Sequence, residues 1–338
     1  MIALSICIPT FDRPDCLLNC LNSISIAKKK SNILFEVCVS DNNSNYNIQK
    51  IVEKFNDNFL ITFNKNEKNL GLGVNILKSV SMANGEFVWI IGNDDLLLPK
   101  TLFVIENLLN KNKLVDFYYI NSFHLDTNYI KKHKQPFDTR NLEDLKMKKF
   151  SNYSISKELD FFNLVNPKYS FDFMLGMFLC IFRRSKWVKN LNVIDSNLIS
   201  DLSTYSSFDN TCPHIKIWAK SFNNSKAYFQ AEPLSVNLHG EREWGSLYPF
   251  IEAARIPEVV DEYRKNGLPF LRYIYCKNYA LRKFFPSFIS MIINYKTSGI
   301  KFISFKKHIL KNIFFPSIYF GAFYILIRKI FKILIKSK

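Results

Sequence analysis

"GEFVWIIGNDD", residues 85–95, sets an apolar run of strand length against an abrupt polar end. Phe87, Val88, Trp89, Ile90 and Ile91 are not interrupted by a polar residue. A strand of that kind is buried on both faces, as in a parallel sheet. Asp94 and Asp95 follow as adjacent like charges. A helix cap uses one such residue, and the second gains little from it. Two neighbouring carboxylates suit a divalent cation with oxygen ligands better.

The same grammar extends outward. Apolar strand-length runs occur at 3–9, 35–41, 60–64, 86–91 and 115–120. Between them, residues 16–24, 47–55, 73–84 and 99–111 carry apolar residues at helical spacing, the last opening on Pro99. This alternation predicts an α/β fold: a Rossmann-like, mostly parallel sheet flanked by helices. Ligands of such sheets sit at the carboxyl ends of the strands. Three polar clusters fall there: "PTFDR" (9–13), "SDNNSN" (40–45) and "NDD" (93–95). Convergence on one crevice is the functional reading; helix caps and turns are the other reading of the same residue types.

The chain has 338 residues, 48% of them hydrophobic, enough for one large or two smaller cores. Its seven cysteines form no Cys-x-x-Cys pair, and Cys7 and Cys38 sit in apolar runs. They read as buried hydrophobes of a reducing compartment. No leader pattern precedes the first strand. No Gly-rich phosphate loop of the dinucleotide or P-loop kind is present. The net charge of +17 is concentrated: residues 263–338 hold 16 Lys and Arg and no acidic residue. Residues 313–327 lack charge but contain Pro316 and fall short of a bilayer span of about 20 residues. Beyond them, Arg328, Lys329, Lys332 and Lys336 share a helical face opposite Ile330, Phe331 and Leu334. The pattern predicts helices lying on an anionic membrane surface. A helical subdomain with a solvated basic side, or a single span, are the alternatives. No nucleic-acid motif accompanies the charge, so no nucleic-acid partner is expected.

"LSICIPTFDRPDCLLNCLNSI", "FEVCVSDNNSN" and "NKNEKNLGLGVNILKSVSMANGEFVWIIGNDDLL" together resemble, in order and spacing, the family 2 nucleotide-sugar glycosyltransferases. Within them the chain looks most like bacterial O-antigen sugar transferases of the abequosyltransferase type, with "SKW" (185–187) and "PH" (213–214) as later landmarks. The resemblance implies an A-type catalytic domain over 1–250, with a nucleotide-binding half (1–120) and an acceptor half (121–250). A helical, basic, membrane-associating region follows at 251–338. Pro9, Thr10 and Asp12 would line the nucleotide pocket. Asp41 would accept a hydrogen bond from the base, and Asn69 and Gly71 would close over the nucleotide. Asp94 and Asp95 would hold Mg²⁺ or Mn²⁺ against the diphosphate. Gly92 departs from the family, which has an acid there.

The second half is less legible. The Lys-rich stretch at 121–160 reads as a solvated excursion or lid. A transferase needs a base for the acceptor hydroxyl, and between residues 150 and 245 there is no Glu-Asp pair of the kind the family often uses. Asp201, Asp209 and His214 are the candidates; ordinary turn and helix-start roles are the alternatives. His239 is a possible third metal ligand and Arg242 a phosphate clamp, within what could also be a plain turn. The expected function is transfer of a sugar from a nucleoside-diphosphate sugar to a polyprenyl-diphosphate-linked oligosaccharide, in O-antigen or surface-polysaccharide synthesis. The expected place is the cytoplasmic face of the bacterial inner membrane, held peripherally. The alternative is a non-catalytic scaffold on the same fold.

Overall fold

The computed structural model describes residues 1–203, 205–240, 245–321 and 323. Ten strands form one sheet: β1 (Leu4–Thr10), β2 (Phe35–Asp41), β3 (Leu60–Lys65), β4 (Phe87–Ile90), β5 (Asp95–Leu97), β6 (Val115–Asp126), β7 (Lys148–Lys149), β8 (Lys157–Asp160), β9 (Cys180–Arg183) and β10 (Lys226–His239). The order is β3-β2-β1-β4-β9-β6-β10-β5, with β7 added to β6 and β8 to β10. β3, β2, β1 and β4 run parallel, and β6 pairs parallel with β10. The sheet is therefore α/β and mostly parallel in its first half. The departure is β9, which enters antiparallel between β4 and β6.

Helices α1 (Pro14–Lys28), α2 (Ile48–Glu53), α3 (Leu72–Ser81) and α4 (Thr101–Lys111) connect the first strands. Each forms where the apolar spacing places it. α1 opens on Pro14, whose missing N–H is no loss at that position, and carries Asp15 in its first turn and Lys28 in its last. Leu17, Leu21 and Ile24 of α1 pack with Ile6, Ile8, Trp89 and Ile91 in the main core. Each such apolar side chain contributes about 1.5–3 kcal/mol when fully buried. β1, β2 and β4 are buried throughout, whereas edge strand β3 alternates.

The 121–160 stretch corrects the expectation of a solvated excursion. β6 runs on to Asp126, and Phe137 is fully buried. The Phe137 backbone is clamped by α1: its N–H donates to Asn19 Oδ1 (2.7 Å), and Asn22 Nδ2 donates to its carbonyl (2.9 Å). Ile130, Phe137 and Met147, buried beside Leu125, Val236 and Leu238, anchor the lysine-rich run.

The chain divides into two compact units: residues 1–164 with 168–241, and residues 165–167 with 242–338. The second is helical, with helices at Ile256–Lys265, Phe270–Leu281 and Phe284–Ile293. Its buried charges are paired. Glu258 meets Arg255, Lys307 and His308. Asp261 meets Lys277 and Lys311, each at 2.9 Å. Burial opposes ionisation of both carboxyls, but the His308 hydrogen bond to Glu258 and the Arg and Lys partners of the two hold them below their ordinary pKa. Among the described residues, no helix is long and apolar enough to cross a membrane.

Candidate active site

The carboxyl ends of β1, β2 and β4 build one crevice. Thr10 is paired directly with Asp41 across the β1–β2 register. Asn93 Nδ2, just beyond β4, donates to Thr10 Oγ1 (2.8 Å). Thr10 therefore links Asp41 on one side to the Asn93–Asp94–Asp95 turn on the other. Pro9 and Thr10 are buried in the strand itself.

Asp12 ties the first loop to the second. Its N–H donates to Ser44 Oγ (2.8 Å), and its carboxylate accepts from Asn45 N (2.7 Å) and Asn45 Nδ2 (2.9 Å). These bonds hold Asp12 at φ +50°, a left-handed conformation costing about 1–2 kcal/mol outside glycine. Asn42 bridges onward: its Nδ2 donates to Asn69 Oδ1 (2.8 Å), and its Oδ1 accepts from Leu70 N (2.9 Å). Asn69 Oδ1 also accepts from Gly71 N (2.9 Å). Gly71, at φ +82°, starts α3 in a conformation that favours glycine. Asn75 of α3 is the buried hub below: Oδ1 accepts from Ser40 Oγ and Asn66 Nδ2, and Nδ2 donates to the Ser40 carbonyl.

Asp41 is fully buried, and only half of its carboxylate is used by the protein. Oδ1 accepts from Ser44 N (3.0 Å) and Ser44 Oγ (2.5 Å). Among the described residues, nothing donates to Oδ2. A buried acceptor without a donor is costly, and a ligand N–H would relieve that cost.

The two adjacent carboxylates do different work. Asp95 is 1% exposed and faces inward: Oδ2 accepts from Gly92 N (2.6 Å), and Oδ1 from Asn237 Nδ2 of β10 (2.7 Å). It closes its own turn and ties β4 to β10. Asp94 stays partly exposed, and Arg13 Nη1 approaches its Oδ2 at 3.3 Å. The departure at Gly92 has a steric side: a Cβ there would lie 2.5 Å from Asp94 Oδ1 and 3.2 Å from Asp95 Oδ2. The space an acidic residue would need at 92 is filled by the two carboxylates that follow it.

Among the described residues, no group of three or more His, Cys, Asp or Glu side chains is arranged to hold a metal ion. The donor set still fits Mg²⁺ or Mn²⁺ in one way. Such ions use one or two protein carboxylates and take their other ligands from substrate phosphates and water. Asp94 offers an accessible carboxylate of that kind; Asp95 would have to surrender a bond to Gly92 or Asn237. His239 ends β10, where the neighbouring Leu238 N donates to the Asp94 carbonyl (3.2 Å). Its ring lies beside His124, centroids 5.5 Å apart. Arg242 lies outside the described residues.

Neither Asp209 nor His214 offers an accessible lone pair for proton abstraction. Asp209 is 3% exposed and held by Lys216 Nζ (3.0 and 2.8 Å) and Asp195 N (2.8 Å). His214 is buried against Trp218, and its Nε2 lies 2.9 Å from the Leu175 carbonyl. Burial pushes its pKa down to about 4, the carbonyl opposing only in part. Asp201 is exposed, and its carbonyl would lie 4.0 Å from a Cβ at Gly71. The Ser206 hydroxyl holds its carboxyl below the ordinary range.

The crevice also uses residues with no assigned role in the sequence reading: Arg13, Asn42, Ser44, Asn75 and Asn93. All but Asn75 lie inside the three quoted clusters. Asn75 left a fainter sign, a polar residue on the apolar face of α3.

The Glycosyl transferase family 2 profile matches residues 5–175. The chain belongs to glycosyl transferase family 2. It is 39% identical to the abequosyltransferase RfbV of Salmonella typhimurium over 109 residues, 32% of each chain. It is 29% identical to an uncharacterized glycosyltransferase, MJ1057, of Methanocaldococcus jannaschii, over 37% of this chain and 43% of that protein. The chain thus spans about a third to two fifths of these relatives' lengths. Its fold is similar to that of S. aureus TarS 1–349 in complex with UDP, with a TM-score of 0.56 and 16% identity, over 84% of this chain and 72% of that one. A mannosyltransferase from Pyrobaculum calidifontis, in complex with GDP-Man and Mn²⁺, aligns at TM-score 0.50 and 13% identity, over 94% and 85%. At these identities the structural likeness concerns the fold, which is that of the glycosyltransferases.

Proposed function

We propose that this protein transfers a sugar from a nucleoside-diphosphate sugar to a lipid-linked glycan, in the synthesis of O-antigen or a related surface polysaccharide. The observation that carries the reading is the pairing, across Thr10, of a buried carboxylate oxygen that lacks a donor among the described residues with an accessible carboxylate. Asp41 Oδ2 receives an N–H of the nucleotide base. Thr10, Asp12 and the Asn69–Gly71 loop frame the nucleotide, and Asp94 faces its diphosphate. The resemblance to an O-antigen sugar transferase, and neighbours crystallised with UDP and GDP-Man, favour this donor class.

In the transfer, the bond from the anomeric carbon to the diphosphate oxygen is exchanged for one to the acceptor oxygen, and the hydroxyl proton leaves to a base. Mg²⁺ or Mn²⁺, when bound, neutralises charge developing on the leaving diphosphate. Asp94 would hold it, with His239 at the end of β10 as the further candidate ligand, and Asp95 keeps the turn in place. We place the protein peripherally on the cytoplasmic face of the inner membrane, where a soluble donor meets a membrane-held acceptor. Exposed apolar side chains and the acid-free basic end of the second unit support that site.

The test begins with thermal stabilisation by UDP, GDP, CDP and dTDP in the presence of Mn²⁺, since a ligand of the native state raises apparent stability. One or two of the four are expected to stabilise. The matching nucleotide sugar should then label a polyprenyl-linked acceptor extract, and Asp94→Asn should lower turnover by about a hundredfold or more. Turnover near wild type in Asp94→Asn removes the metal assignment. Stabilisation by no nucleotide returns the protein to a scaffold role.

A further inference from the structure

Two basic runs about a hundred residues apart, Lys28–Lys30 and Lys131–Lys134, take no part in the crevice described above. The docking of Phe137 onto α1 brings them together around a cavity of about 450 Å³. Lys29 lines it from the end of α1, and His133, Lys134 and Arg140 line it from the facing segment. Asp138 is the single carboxylate in the lining, and Arg140 Nε takes both of its oxygens, at 2.9 and 3.0 Å. Lys29 and Lys134 form no ion pair among the described residues. The lining therefore carries two more cationic side chains than anionic ones, with the imidazole of His133 alongside.

Cations at the end of α1 also complement its dipole. That accounts for Lys28 and Lys29. It does not account for Lys134 and Arg140, which arrive from another segment and face the same concavity. The cavity lies well away from the crevice. Arg13, beside Asp94, precedes α1, and Ser25 and Lys29 stand 12 to 16 residues further on, roughly 18–24 Å along a helix. The volume is in the range of small-molecule sites, about 300–1,000 Å³, and so has room for more than a bare inorganic anion.

We propose that this cavity is a second anion site that binds a phosphate group, carried either by a small molecule or by a lipid headgroup. Clustered cations that outnumber their one carboxylate repel one another, and a phosphate dianion relieves that repulsion.

The experiment uses the full chain without divalent metal and titrates it with pyrophosphate by calorimetry. Saturable binding is expected, weaker by about tenfold or more in Lys29→Glu/Lys134→Glu and unchanged in Lys113→Glu, an exposed lysine outside the cavity. Both lysines are exposed, so the double variant should melt with the wild type; Lys134→Ala, with a smaller loss, gives a second measure. Pelleting with phosphatidylglycerol vesicles, against phosphatidylcholine, separates the sources. Weaker pelleting of the double variant assigns the site to a headgroup; unchanged pelleting assigns it to a soluble phosphate compound. Absence of saturable pyrophosphate binding, equal affinity in wild type and double variant, or an equal loss in Lys113→Glu overturns the proposal.

Discussion

Asp94 and Asp95 are tolerated side by side because their oxygens face different partners. Asp95 is neutralised from within by a backbone N–H and the Asn237 amide. Asp94 is met from outside by Arg13. A pair written as identical letters thus divides into a structural strut and an accessible ligand, a division the letters do not carry. Asp41 divides its own carboxylate in the same way, one oxygen for Ser44 and the other without a protein donor. Asp41→Asn should keep the fold, since its amide oxygen can still accept from Ser44. Nucleotide binding, read by calorimetry, should weaken by about ten- to a hundredfold, the scale of a hydrogen bond to a charged group worth about 1.5–3 kcal/mol. Unchanged nucleotide affinity would remove Asp41 from the base contact.

At the scale of elements, the strands and helices of the first third lie where the apolar periodicity puts them, and the crevice follows from where the strands end. Residues 121–240 were harder to read because their order comes from scattered anchors rather than a period. Phe137 docks a lysine-rich run, and His214 supports the 171–175 turn through the Leu175 carbonyl. That turn holds Asp172, Phe173 and Met174 all at positive φ, which no propensity foretells. His214 makes a pH prediction. It is neutral in the native protein, with a pKa of about 4 against an ordinary 6.5. Between those values the unfolded chain binds the proton and the native chain does not. Its contribution is complete above about pH 6.5 and is lost as the pH falls towards 4, by roughly 3 kcal/mol in all. His214→Gln keeps a donor for Leu175 without the titration. Urea unfolding at pH 7 and pH 4.5 should therefore show a smaller acid loss in the variant than in the wild type; equal losses would mean that His214 does not titrate as its burial requires.

Over the whole molecule, charge and apolar exposure are divided between two units. In the second, Phe314 is 89% and Phe320 70% exposed, and Ile293 and Phe323 are also open, among lysines and arginines with no acidic residue after Glu262. The basic face at 328–336 lies outside the described residues. This chemistry predicts binding to phosphatidylglycerol vesicles that falls as salt rises from about 0.05 to 0.5 M. Phe314→Ser/Phe320→Ser should weaken it by about tenfold or more, since each phenyl contributes about 1.5–3 kcal/mol when buried. Pelleting indifferent to salt and to both substitutions would count against the surface reading. By itself the sequence determined the alternating sheet, the strand ends that carry the polar clusters and the charge asymmetry, because each is written in local periodicity or composition. Only the tertiary structure decided which Asp oxygen is occupied, that β9 enters between β4 and β6, that Asp209 and His214 belong to the core, and that two distant lysine runs share a cavity. Those outcomes depend on which surfaces meet, and residues far apart in the chain acquire a common environment only when the backbone closes.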